Sequence, residues 1–204
     1  MTGPDNGLHI DPQGTPRCWW CGDDVQYIAY HDTEWGQPVG NDVRLFEKLS
    51  LEGFQAGLSW ITILRKRENF RRAFAGFDLH AVASMTESDV QHLLADPGII
   101  RHRGKIEATI NNAQRAIELI DEVGSLASFV WKFEPSKRTS DEDCPSTSLE
   151  SKALSKELKR RGWRFVGPTT AYSFMQAMGI VNDHLSGCAM HEVVEAARRQ
   201  FTRP

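Results

Sequence analysis

The stretch Gly162–Cys188, GWRFVGPTTAYSFMQAMGIVNDHLSGC, carries the decisive pattern of this chain. Lys156–Arg161 closes a basic helix, Gly162 is a natural stop, and Pro168 suits the first position of the next helix, where its missing N–H costs nothing. A short hairpin, Gly162 to Gly167, therefore joins two helices. Such a turn can aim the backbone N–H groups of its tip and of the second helix's start at one phosphate. Lys159, Arg160, Arg161 and Arg164 place positive charge beside it. Turns between helices are most often only turns, so this feature alone does not establish nucleic-acid binding. The following helix, Thr169 to Met178, carries Tyr172, Phe174, Met175 and Met178, a set that more often packs a core than lines a site. Past it, His184 and Cys188 stand in H-x-x-x-C spacing, soft donors suited to zinc.

The partner donors sit at the opposite end of the chain. Cys18-Trp-Trp-Cys21 is a C-x-x-C that, with His184 and Cys188, would complete four ligands, and His31 competes for a place in the set. Spacing does not choose among them. Either way the site would join the two ends of the chain. Four cysteines, at 18, 21, 144 and 188, are too few and too scattered for a secreted disulfide framework in 204 residues; Cys144 reads as a bystander in an acidic loop. No apolar run reaches the length of a membrane span and residues 1–17 lack the apolar core of a signal peptide, so a cytoplasmic protein is expected. A net charge of −3 excludes a broadly basic nucleic-acid coat but not local basic clusters.

Between the ends the periodicity is helical throughout, with no sustained period of two, which predicts an all-α fold. Residues 1–16, rich in Gly, Pro, Asp and Asn, read as a disordered arm, 17–190 as the helical body and 191–204 as a closing helix and tail. Asn41 caps a helix to about Gln55 with a stripe of Val43, Phe46 and Leu49, and Ser59 caps another over 60–74. Thr86 and Asp89 form a capping box, residues 106–120 carry the clearest amphipathic stripe, and further helices are expected over 125–133 and from Leu149. Glu52 falls near the C-terminal end of its helix, where a carboxylate opposes the helix dipole, and is flanked by Leu51, Gly53 and Phe54, so a purely decorative role is disfavoured. Tyr27 and Tyr30, three apart, share a helix face and either pack the core or wall a pocket for a flat ligand.

Four segments, YIAYHDTEWG, LEGFQAGLSWITILRKRENF, GIIRHRGKI and RRGWRFVGPTTAYSFMQAMGIVNDH, occur in this order, and over about Arg17 to Cys188 the chain resembles the 3-methyladenine DNA glycosylase I family of bacterial alkylation-repair enzymes. The resemblance implies a helix–hairpin–helix glycosylase fold of two helical lobes flanking the lesion pocket. It implies one structural zinc on Cys18, His31, His184 and Cys188, with Cys21 as a fifth candidate. Base-binding positions fall on Tyr27, Tyr30, Trp60 and Glu52, the last also as the catalytic residue. An aromatic wall can stack on a cationic purine while a buried carboxylate pairs with its charge.

DNA contacts are expected from Gln55 and Leu58, beside the pocket and placed to fill the gap left by an extruded base, and from Gly162, Arg164, Gly167 and Thr169 at the hairpin. Two departures matter. Asn182 stands where related glycosylases carry an aspartate, and Thr169 where bifunctional ones carry a lysine, so a monofunctional hydrolase with no Schiff base is implied. The implied activity is hydrolysis of the N-glycosidic bond of 3-methyladenine in double-stranded DNA, releasing free 3-methyladenine and leaving an abasic site, by a monomer with no membrane partner. The alternatives are a relative tuned to another alkylated base such as 3-methylguanine, and a zinc-stapled helical DNA-binding module without catalysis.

Overall fold

The computed structural model describes residues 7–136 and 145–204, so Cys144 and the first six residues of the expected arm lie outside the described residues. The arm is not structureless from residue 7 onward. β1 (Leu8–Ile10) pairs antiparallel with β2 (Pro16–Cys18), Leu8 opposite Cys18. The local cause is Asp11, whose carboxylate accepts from the backbone N–H groups of Gln13 and Thr15 and so closes the turn. Arg17 then binds Asp11 and Asp32 together, and the Ala189 N–H donates to the Pro16 carbonyl. Composition alone reads this segment as disordered because its order comes from residues far along the chain.

Beyond this hairpin the described residues form helices: α1 (Val25–Thr33), α2 (Asp42–Gln55), α3 (Trp60–Ala73), α4 (Leu79–Ala83), α5 (Glu87–Ala95), α6 (Arg103–Val123), α7 (Leu126–Val130), α8 (Leu149–Arg160), α9 (Pro168–Ala177) and α10 (His191–Gln200). Asn41 accepts from the Arg44 N–H, Thr86 and Asp89 form the capping box, and Pro168 opens α9, as expected; Ser59 stands at the start of α3 but does not cap it with its side chain, because its hydroxyl pairs with that of Thr62. The 125–133 helix is α7 followed by a short 3-10 turn.

The organising helix is α2, packed by α3, α6, α7 and α9. Every residue from Leu45 to Phe54 is buried, polar ones included, because the helix is surrounded on all sides. The three-residue stripe expected for it was too narrow: Val43 is exposed, while Leu45, Leu51 and Phe54 are as buried as Phe46 and Leu49. Each such side chain contributes about 1.5–3 kcal/mol by leaving water.

Two close backbone approaches set the geometry around α2. A Cβ on Gly53 would lie 3.4 Å from the Phe165 Cβ, so the hairpin before α9 rests against the end of α2. A Cβ on Gly179 would lie 2.5 Å from the Gly36 carbonyl oxygen, and its φ of +68° also favours glycine, so the chain leaving α9 lies directly on the loop after α1.

Candidate active site and Cys/His cluster

The pocket opens where α1, α2, α3 and α9 meet, a cavity of about 170 Å³ lined by Trp20, Tyr27, Tyr30, Trp35, Glu52, Gln55, Trp60, Ser173 and Gln176. The four expected base-binding residues, Tyr27, Tyr30, Glu52 and Trp60, are all in that lining. Tyr30 and Trp60 lie 5.4 Å apart between ring centroids, and Trp20 packs against Tyr27 at 4.9 Å and Trp35 at 5.0 Å. Burial pushes the Tyr27 hydroxyl up to about 12, with further elevation from nearby Cys21 and Glu52, and it raises Tyr30 well above the ordinary phenol value. Both phenols keep their protons in ordinary buffers.

Glu52 is buried, as expected, but it is not an isolated carboxylate. Lys48, one turn earlier on α2, places its ammonium 2.7 Å from Glu52 Oε1. The same nitrogen donates to the Tyr30 hydroxyl at 2.8 Å and lies 3.1 Å from the centre of the Trp60 ring. The cation expected to arrive with a ligand is thus already supplied by the chain. Burial pulls Lys48 down to about 8 against the opposing pull of Glu52. Lys48 was not singled out in the sequence because a Lys–Glu pair four apart on a helix ordinarily marks a solvated face.

Gln55 closes α2 at the pocket mouth, and Leu58 stands exposed in the loop after it. That loop is pinned from beneath by a second lysine: Lys105 donates to the Phe54 carbonyl at 2.9 Å and the Ala56 carbonyl at 2.6 Å. A cation at the C-terminal end of α2 meets the helix dipole and two otherwise orphaned carbonyls at once. The Gly162–Gly167 hairpin lies on the same side of the molecule. Its Arg164 backbone is bonded in both directions by Asn112, and Phe165 meets His102 edge to face at 6.1 Å. Gly162, with φ of +82°, Arg164 and Thr169 are exposed, and Gly167 is half-buried at the cap of α9.

Of the four basic residues read beside the hairpin, Arg160 and Arg161 already meet acids of the chain, Glu157 for both and Glu122 for Arg161, which leaves Lys159 and Arg164 as its exposed positive charge.

Cys18, His31, His184 and Cys188 are all buried, with their donor atoms within 4.8 Å of one another. Cys188 Sγ is 3.5 Å from His31 Nε2 and 3.5 Å from His184 Nδ1, and Cys18 Sγ is 3.9 Å from His184 Nδ1. Each imidazole is oriented by its other nitrogen, His31 Nδ1 on Asp32 at 2.7 Å and His184 Nε2 on the Trp35 carbonyl at 3.0 Å. Cys21 is buried nearby but turned away: its Sγ donates to the Cys18 carbonyl, and burial raises the thiol to about 11.

Asn182 braces this loop, accepting from the His184 N–H and donating to the His191 carbonyl and Glu195. The residue after it, Asp183, is a buried acid that accepts from the Tyr172 hydroxyl and from Gln176, itself a pocket residue. Trp20, Trp35, Ser173 and Gln176 are pocket residues the sequence did not single out, although Trp20 lies inside the C-x-x-C and Trp35 inside a motif quoted for other reasons.

The comparisons with known proteins agree with this arrangement. The model of the methyladenine glycosylase family matches residues 20–191. DNA-3-methyladenine glycosylase 1 of Escherichia coli (strain K12) is 50% identical over 180 residues, covering 86% of this chain and 96% of that protein. A crystal structure of 3-methyladenine DNA glycosylase I superposes with a TM-score of 0.80 at 51% identity, covering 86% of this chain and 99% of the other. A tyrosine-to-phenylalanine variant of a 3-methyladenine DNA glycosylase I, solved in complex with 3-methyladenine, superposes with a TM-score of 0.81 at 37% identity, covering 86% and 97% of the two chains. An aromatic pocket around a buried carboxylate, on a helical body matched almost end to end by these relatives, places the chain in the methyladenine glycosylase family, to which it belongs.

Proposed function

We propose that this protein is a monofunctional DNA glycosylase that hydrolyses the N-glycosidic bond of 3-methyladenine in double-stranded DNA, freeing the base and leaving an abasic site. The observation that carries the reading is the cavity in which Glu52 sits among Tyr27, Tyr30 and Trp60, a room of the right kind for one flat, polar base and of no use for gripping phosphate. A duplex hides the base, so it is extruded into this room while Leu58, on the loop pinned by Lys105, fills the space it leaves and Gln55 stands at the mouth. Gly162, Trp163 and Arg164 spend their N–H groups within the chain, so the hairpin holds the backbone through its Gly167 end and the start of α9 at Thr169, with the Arg164 side chain adding charge.

Within the pocket the aromatic walls stack on the base and Glu52 accepts from its exocyclic amino group. Glu52 is engaged by an ammonium, so its part is to accept hydrogen bonds and stabilise positive charge developing on the sugar, not to donate a proton. Weak machinery suffices because alkylation has already made the base a good leaving group.

The Cys/His cluster is read as a structural zinc site. Zinc bonds of about 2.0–2.3 Å in a tetrahedron require donors roughly 3.3–3.8 Å apart, and the Cys188 distances to both imidazoles fall within that range. Two thiols, two imidazoles and an oriented partner for each ring suit zinc, which would tie the N-terminal hairpin and α1 to the loop after α9. The protein acts as a monomer in this reading. The deciding experiment is incubation with methylated duplex DNA and chromatography of the released bases. Release of 3-methyladenine, abolished by heat denaturation, supports the reading; binding of DNA without release overturns it in favour of a non-catalytic module.

A further inference from the structure

Lys48 is a buried cation that touches the pocket's Glu52 and Tyr30 and lines the adjoining cavity that shares Tyr30 and Trp60. It faces Glu52 on its own helix, Tyr30 on α1 and Trp60 on α3, with Arg67 of α3 and Glu34 beyond α1 the further charges around it. We propose that Lys48 is a positioning residue that makes the pocket selective for adenine over guanine, by fixing which of its two polar groups donates and which accepts. This deepens the functional reading above and rests on Glu52 and Tyr30 facing the base.

The physical steps are short. An ammonium has three donors and no acceptor. By donating to the Tyr30 oxygen it prevents that hydroxyl from turning its own proton toward the lysine, so the proton remains available for a ligand. By holding Glu52 Oε1 it leaves the other carboxylate oxygen as an acceptor. The pocket then presents one acceptor and one donor.

That is the complement of adenine's major-groove edge, which carries the N6 amino donor beside the N7 acceptor. Guanine presents two acceptors there, O6 and N7, and one of them must face a carboxylate. With Lys48 neutral or absent, the Tyr30 hydroxyl regains the choice of donating or accepting, and Glu52 loses the contact that fixes its position. Discrimination weakens even though both side chains remain.

The test uses duplex DNA treated with a methylating agent, which carries both 3-methyladenine and 3-methylguanine, and measures the ratio of their excision rates. In Lys48→Met the adenine preference is expected to narrow about tenfold, the effect of losing one good base contact. Tyr30→Phe should narrow it similarly, and the double variant should fall short of the two effects combined, because Lys48 acts in part through Tyr30. A ratio that narrows in Tyr30→Phe but stays unmoved in Lys48→Met, with both rates merely falling together, overturns the role of Lys48 and leaves the pocket assignment standing.

A ratio unmoved in both variants overturns both readings. Should Lys48→Met fail to fold, the unaltered protein supplies the second measurement. Lys48 titrates near 8, whereas both pocket tyrosines titrate well above that, so raising the pH from 7 to about 9.5 should narrow the ratio. A flat ratio across that range overturns the proposal.

Discussion

Glu52→Gln should destabilise the protein far less than Lys48→Met, and its effect should fade as the pH rises. Lys48 is fully buried with a pKa lowered to about 8 from the ordinary 10.5, even with Glu52 beside it. One pKa unit corresponds to about 1.4 kcal/mol, so at pH 7 the fold favours the charged lysine over the neutral one by only about that much. When Glu52→Gln removes the attraction, Lys48 can shed its proton and donate as an amine. The loss is then about 1–2 kcal/mol, below the ~3–5 kcal/mol typical of breaking a buried pair. Lys48→Met leaves a buried carboxylate without its cation and should reach that larger figure.

The pH dependence has a definite sign. Between about 8 and 10.5 the unfolded state binds more protons at this site than the folded state, so the site's contribution to stability rises with pH across that window. In Glu52→Gln the window opens at lower pH, so the deficit of about 1–2 kcal/mol at pH 7 shrinks as the pH approaches 8 and is largely gone above it. Urea unfolding of parent, Glu52→Gln and Lys48→Met at pH 7 and at about pH 9.5 measures all three quantities. A Glu52→Gln deficit that does not change with pH, or equal losses in the two variants at pH 7, would refute the reasoning.

Metal analysis of the purified protein should find one zinc per chain, lost in Cys188→Ser with a fall in thermal stability, and retained in Cys21→Ser because that thiol points at the Cys18 carbonyl. Lys105→Met leaves the Phe54 and Ala56 carbonyls without their cation; loss of about 1–3 kcal/mol from local order should appear as faster proteolysis after Gln55 and slower excision from duplex DNA, with binding of free 3-methyladenine nearly unchanged. Gly179→Ala meets both a left-handed backbone and the Gly36 carbonyl at 2.5 Å, and should cost at least about 2 kcal/mol in chemical unfolding.

The helical body, its caps and the positions of Tyr27, Tyr30, Glu52 and Trp60 were readable in the sequence, because capping and spacing are local and the motif segments are long. Glu52 was legible for a physical reason, a carboxylate against the dipole at an apolar helix end. Its partner was not. Lys48 four residues earlier has the signature of an exposed pair, and only the surrounding of α2 on every side turns that pair inward. The same limit applies to the hairpin of residues 8–18, whose order depends on Asp32 and Ala189. The choice between Cys18 and Cys21 likewise depends on which thiol the β2 strand aims at the far end of the chain.

The placement of the Cys/His cluster also has a consequence for how the protein comes into being. Trp20, Tyr27, Tyr30 and Trp35 leave the ribosome long before the side chains packed against their segment, His184 and Cys188. At roughly 5–20 residues per second the wait between them is on the order of 8–30 s. Through that interval α2 and α3 can already pack, while one wall of the lesion pocket has nothing to lean on. The pocket is therefore completed only once Cys188 has been made, and a chain halted short of it carries most of the helical body without a finished place to receive a base.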